Sequence, residues 1–196
     1  LNGIIGFDTE LALKAMTESA MKDTCGYSMG YFVGLENYRK YGYVPCDMEM
    51  ESVARTLEYA FDDRALARFA EQIGRSEEAA YFNEQSFNYK NVFDTDICFV
   101  RGKTKEGKWR TPFAPLASSH RKDDYCEGNA WQWSFFVPHD VEGLAALMGG
   151  KERLAARLDS LFTMSSALEG DDVSGDISDL IGQYAHGNEP GHHTIY

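Results

Sequence analysis

Chemistry-bearing side chains concentrate in three short stretches of this 196-residue chain. The first, Asp124-Tyr-Cys-Glu-Gly-Asn-Ala-Trp-Gln-Trp133, sets a carboxylate, an amide and two indoles at a loop-to-helix junction. Indole faces can stack on the C–H face of a pyranose while carboxylates and amides accept from its hydroxyls, so this pairing suits a sugar. Trp131 and Trp133 would serve equally well as core. The second stretch is His139-Asp140 after Pro138, where Asp140 can cap a helix beside a satisfied histidine or the pair can face a ligand. The third, His186-Gly-Asn-Glu-Pro-Gly-His-His193, is dense enough in His, Asn and Glu to bind a metal or a substrate.

Zinc fits the third stretch poorly. Two zinc-binding histidines one turn apart need a continuous helix, whereas Gly187, Pro190 and Gly191 interrupt the chain between His186 and His192. Asn188 and Glu189 offer oxygen and suit a hard cation, so calcium ranks above zinc. The acidic run Gly170–Asp179 lacks the ligand order and closing Glu of an EF-hand and reads as a solvated loop. No GxSxG, GxxxxGK[ST] or GxGxxG occurs. Hydrolysis by carboxylates survives this elimination.

A formal charge of −12, from 31 acidic against 19 basic residues, argues against nucleic acid or an anionic membrane as partner, because the summed field repels phosphate. No apolar run approaches the ~18 residues that a membrane span requires. Cys25, Cys46, Cys98 and Cys126 lie far apart, with no CxxC pair, and are expected to be separate thiols.

The elements that must position these groups are mostly helical. Thr9 as N-cap opens a helix that Gly26 can close, and Ser52 begins a run with helical spacing through Val53, Leu57, Ala60, Phe61, Leu66, Phe69 and Ile73, closed by Gly74. Ser76 caps the next helix. Residues 91–125 lose periodicity and form a long excursion with a short hairpin near Phe99 to Trp109. The aromatic block Trp131–Val137 predicts a helix that restarts after Pro138, then Arg153–Phe162 a further one. A short apolar segment spans Ile177–Tyr184, and a turn at His186 leads into a helix after Pro190. Strand patterns are almost absent, so the expected class is all-α, one domain over residues 1–196.

Several ordered blocks carry a resemblance: Thr56-Leu-Glu-Tyr-Ala-Phe-Asp-Asp63, Tyr125-Cys-Glu-Gly-Asn-Ala-Trp-Gln-Trp-Ser-Phe-Phe-Val-Pro-His-Asp140, Leu147-Met-Gly-Gly150, Leu158-Asp-Ser-Leu-Phe162 and Ile181-Gly-Gln-Tyr-Ala-His-Gly-Asn-Glu-Pro190. They resemble the glycoside hydrolase family 92 α-mannosidases, and the similarity runs from about Tyr43 to Tyr196. The resemblance implies exo-acting, calcium-dependent hydrolysis of terminal α-linked mannose with inversion. It implies an (α/α)6 toroid of helical hairpins behind an N-terminal β-sandwich, in a secreted, periplasmic or cell-surface bacterial enzyme. Glu127 falls in the block that carries the general acid. The substrate-binding set is then Trp131, Gln132, His139, Asp140, His186 and Glu189, with Asn188 and Glu189 holding calcium and a mannose-containing glycan as partner.

The chain departs from the pattern in one respect. The family's base is expected in an Asn-Asp-Asp-Cys-Gly type block well after the His-Gly-Asn-Glu-Pro block, and the sequence stops six residues past Pro190. Asp171-Asp172 precedes that block and does not match it. The expectation is a piece of the catalytic domain that lacks its base, is inactive alone and self-associates through uncovered apolar faces. A non-catalytic carbohydrate-binding or scaffold protein on the same helical framework is the alternative.

Overall fold

A computed structural model describes residues 6–22 and 33–196. It is rich in helices, as the spacing predicts, with a few two-stranded sheets between them. Helix α1 (Thr9–Met21) is capped by Asp8, whose side chain accepts from the Leu11 amide, rather than by Thr9. Gly26, the expected stop, and Cys25 lie outside the described residues. Helix α2 (Leu35–Tyr41) ends at Gly42 in the left-handed conformation.

The central element is α3 (Ser52–Gln72). Its first half puts Val53, Ala54, Leu57 and Ala60 into the main core with Trp131 and Trp133; its second half puts Leu66, Ala67 and Ala70 against Leu13 and Phe82. A helix apolar on more than one face belongs inside, which explains why α3 packs against both α1 and α4 (Ser76–Gln85). Gly74, at φ 78, turns the chain between α3 and α4, and the residue at the N-cap of α4 is Arg75, with Ser76 already helical.

Polar groups within this core are paired. Arg39 of α2 makes a two-pronged ion pair with Asp63 of α3, at 2.6 and 2.7 Å, and donates to the Ala20 carbonyl of α1. Tyr38 O–H lies 2.9 Å from the same carboxylate. A bidentate guanidinium whose Nε and Nη2 also donate to a carbonyl has the geometry in which an ion pair tolerates burial.

After a 3-10 helix over Asn88–Val92, strands β1 (Phe93–Asp94) and β2 (Phe99–Val100) pair antiparallel. The expected hairpin is thus divided: Phe99 pairs backwards, and the 103–109 turn closes on a Lys103–Trp109 bridge. Strand β3 (Ala117–Ser119) pairs in parallel with β4 (Glu169–Asp172), so the acidic segment read as a free loop is tied to the excursion. Helix α5 (Ala130–Trp133) is only four residues long, far shorter than the aromatic block suggested. The residue before a proline is pushed out of helical geometry, and the Val137 amide turns back onto the Phe135 carbonyl. Helix α6 (Val141–Leu147), α7 (Lys151–Thr163), the antiparallel pair β5 (Leu180–Ile181) and β6 (Tyr184–Ala185), and a 3-10 helix over Glu189–Ile195 complete the chain. Cys46, Cys98 and Cys126 are free thiols. No described helix is long and apolar enough to cross a membrane.

Candidate active site

Glu127 sits on a turn clamped from several sides. Its backbone is left-handed, at φ 49, a conformation that costs a non-glycine residue of order 1 kcal/mol or more and persists only where neighbours enforce it. The enforcers are visible. Trp133 donates its indole N–H to the Cys126 carbonyl at 2.8 Å, and Asn188 Nδ2 donates to the Glu127 carbonyl at 2.9 Å. Asn129 caps α5 through its side chain while Gln132 Oε1 accepts from the Asn129 amide at 2.8 Å, a reciprocal capping box. Gly128 has no room for a side chain: a Cβ there would lie 2.7 Å from Trp133 Nε1.

The Asn188 bond brings the acid turn to the His186–His193 stretch across 61 residues of sequence. Between them lies a narrow pocket whose lining includes Glu127, Gln132, Trp133, Phe136, Tyr184 and Asn188. Glu127 is half-buried, and burial is the leading cause that pushes its carboxyl above the ordinary glutamate range. Asp176 adds to the shift, as do Glu189 and Glu51, while His120 opposes it. A carboxyl whose pKa is raised by burial beside an aromatic wall is suited to deliver a proton to a bound oxygen.

The expected site residues divide between this pocket and other places. Gln132 lines the pocket, but both ends of its amide are engaged, with Nε2 donating to the Gln183 carbonyl at 3.1 Å. His186 and Glu189 are exposed beside it; the His186 ring bonds Tyr184 O–H at 3.0 Å and lies 5.3 Å from the His192 ring. Trp131 is turned away. It packs edge-on to Phe99 in the core with the Arg157 guanidinium 4.0 Å above its ring, and the indole that faces the pocket is Trp133. His139 and Asp140 are not among the pocket-lining residues. Asp140 caps α6 by accepting from the Gly143 amide at 3.0 Å and from Tyr89 O–H at 2.7 Å, and His139 Nε2 donates to the Ser86 carbonyl. Burial holds His139 below the usual histidine range.

Sequence reasoning did not single out Tyr184, His120 or Asp176. Tyr184 was read only as the end of an apolar segment. The Nδ1 atom of His120 is buried without a hydrogen-bond partner among the described residues, and the His120 amide donates to the Asp172 carbonyl at 2.8 Å.

A calcium ion takes 6 to 8 oxygen ligands. Asn188, whose amide nitrogen is spent on the Glu127 carbonyl, can offer Oδ1, and Glu189 can offer its carboxylate. Among the described residues, no three His, Cys, Asp or Glu side chains come together in a way that could hold a metal. These two residues therefore do not by themselves make a calcium shell.

The family model of the glycosyl hydrolase family 92 catalytic domain matches residues 1–196. Among solved structures, a family GH92 alpha-mannosidase from Bacteroides thetaiotaomicron in complex with mannoimidazole is 40% identical, with a TM-score of 0.86 over 98% of this chain and 25% of that one. A family GH92 inverting mannosidase from the same organism is 36% identical, with a TM-score of 0.82 over 99% of this chain and 27% of that one. A protein of Arthroderma benhamiae described as an uncharacterized secreted glycosidase is 28% identical over 183 residues, 79% of this chain and 23% of its own length. The chain thus spans about a quarter of the length of the relatives it matches.

Proposed function

We propose that this chain, which belongs to glycosyl hydrolase family 92, carries the proton-donating half of an α-mannosidase active site, with Glu127 as general acid. The observation behind this reading is the Glu127 carboxyl itself, half-buried on the wall of an aromatic pocket and pushed above the ordinary glutamate range by burial. On this reading Glu127 protonates the departing glycosidic oxygen of a terminal mannose. A second carboxylate, roughly 6.5 to 9.5 Å away, draws a proton from water on the opposite ring face, and attack by that water inverts the anomeric centre. The base belongs to another part of the full-length protein, and the 196 residues form one portion of an (α/α)6 toroid. Support for a mannose-configured substrate and for inversion comes from the relatives, one solved with mannoimidazole and one described as inverting. Export of the full-length protein is part of the same proposal, supported by the Arthroderma benhamiae relative described as secreted.

Trp133 and Tyr184 are buried in the wall of the pocket, and the exposed His186 and Glu189 beside it are available to a sugar's hydroxyls. Calcium dependence is proposed for the full-length protein, with Asn188 and Glu189 contributing oxygens that other groups complete. Chelation should then abolish turnover and added calcium restore it, with calorimetry reporting binding; turnover unchanged after chelation contradicts the metal's role.

The reading is tested by following hydrolysis of an α-linked mannobiose by the full-length enzyme with proton NMR. β-Mannose should appear first, and the 196 residues alone should show no turnover. α-Mannose as the first product, or full turnover by the isolated chain, overturns it. The pH profile carries a sign as well. Glu127 must be protonated to act, so kcat/KM falls as pH rises through its pKa. Because burial raises that pKa, the basic limb lies above the ordinary glutamate range. A basic limb at or below that range contradicts the assignment.

A further inference from the structure

On the reading that Glu127 is the proton donor, we infer that Gln183 is a positioning residue for it: with Asn129, its buried amide fixes the turn that carries Glu127 against the strand that leads into His186 and Asn188. Gln183 and Asn129 are both fully buried. Gln183 Oε1 accepts from Asn129 Nδ2 at 3.0 Å, and its Nε2 donates to the carbonyls of Ser165 and Ala167 at 2.7 and 3.0 Å. Its backbone is used as fully. The amide donates to the Leu161 carbonyl at 2.7 Å, and the carbonyl accepts from Gln132 Nε2.

One residue therefore joins the acid turn, the end of α7 with the segment beyond it, and the β5–β6 hairpin. Burying a primary amide is unfavourable unless every donor finds an acceptor, and an apolar side chain would fill the same space without that demand. What a satisfied amide adds is direction. The Gln183 bonds reach both the acid turn, at Asn129 and Gln132, and the 161–167 stretch, so a shift of the Glu127 turn relative to β6 must break one of them. The preceding residue is built to the same end: Gly182 has φ +61, and a Cβ there would lie 2.2 Å from the Leu161 carbonyl oxygen, so only glycine lets Gln183 reach its place. Gln183 is uncharged and is not among the pocket-lining residues. It acts through the location of Glu127.

A misplaced acid costs most where protonation of the leaving group matters most, and a displacement of about 1 Å can cost on the order of 100-fold in rate. The test compares Gln183→Met, Gln183→Glu and Glu127→Gln in the full-length enzyme on two substrates. One is an α-mannobiose, the other a dinitrophenyl α-mannoside whose leaving group departs without a proton. Gln183→Met should lower kcat on the disaccharide by about 10- to 100-fold and on the dinitrophenyl substrate by less than about 3-fold, with KM little changed. Gln183→Glu, a near-isostere held neutral by the carbonyls it faces, keeps one donor and should recover most of the loss. Equal losses on the two substrates, no loss at all, or failure of both Gln183 variants to fold overturns the inference in favour of a purely architectural role. If Glu127→Gln itself loses equally on both substrates, the proton-donor reading fails first, which separates the two failures.

Discussion

Glu127→Gln in the full-length enzyme should lower kcat/KM on an α-mannobiose by roughly 100- to 10,000-fold, the range expected for loss of a general acid. The substitution preserves shape and removes only the transferable proton. The turn should survive it, since the bonds that hold residues 126 to 129 run through the Cys126 and Glu127 carbonyls, the Asn129 amide and the Asn129 and Gln132 side chains, none of them through the Glu127 carboxyl. An unchanged melting temperature beside a collapsed rate is therefore the expected pair of results. The loss should shrink on a substrate with an activated leaving group, because that bond breaks without proton assistance. A loss under about 3-fold on the disaccharide contradicts the assignment. A carbohydrate-binding protein without catalysis would show no hydrolysis in either form.

Asp63→Ala should destabilise the fold by about 3 to 5 kcal/mol, the cost of leaving the partner of a buried pair without its counter-charge. The Arg39 side chain is only 10% exposed and Asp63 1%, so little water can replace the carboxylate. The pair joins α2 to α3, and through the Ala20 carbonyl it reaches α1. Against a total stability of about 5 to 15 kcal/mol for a typical domain, such a loss is large. Urea denaturation measures it, and the double substitution Arg39→Met with Asp63→Leu should recover much of the loss because it removes both charges. A change below about 1 kcal/mol for the single substitution contradicts a tightly buried pair.

How much of this was legible in the sequence depended on how far apart the partners lie. Helix α3 could be read because its apolar positions repeat at helical spacing and Gly74 stops it. The cap at Asp140 could be read because an acid before an apolar run has a local meaning. The first cap was misjudged by one residue, since Asp8 and Thr9 are both good caps and only the Leu11 amide chooses between them. The aromatic block misled because its residues look like one helix, while Pro138 allows only a turn before the chain reverses. Trp131 and Trp133 stand two positions apart on α5 and both belong to the core; Trp131 packs edge-on to Phe99, while Trp133 also borders the pocket. The Gln183 clamp was out of reach. Its partners lie 54, 51, 18 and 16 residues away, and nothing in its local neighbours marks it. The pairing of the acidic strand β4 with β3 failed to register for the same reason, because charged, Gly-containing segments carry no alternation to read.

The most direct measurement is a crystal structure of the full-length enzyme with an uncleavable thio-linked α-mannobiose. A Glu127 carboxyl oxygen within about 3.6 Å of the bridging sulfur, the longer counterpart of a hydrogen bond to the substrate's bridging oxygen, is the predicted result. A sugar seated elsewhere, or a bridging atom beyond the reach of Glu127 even through one water, would contradict it.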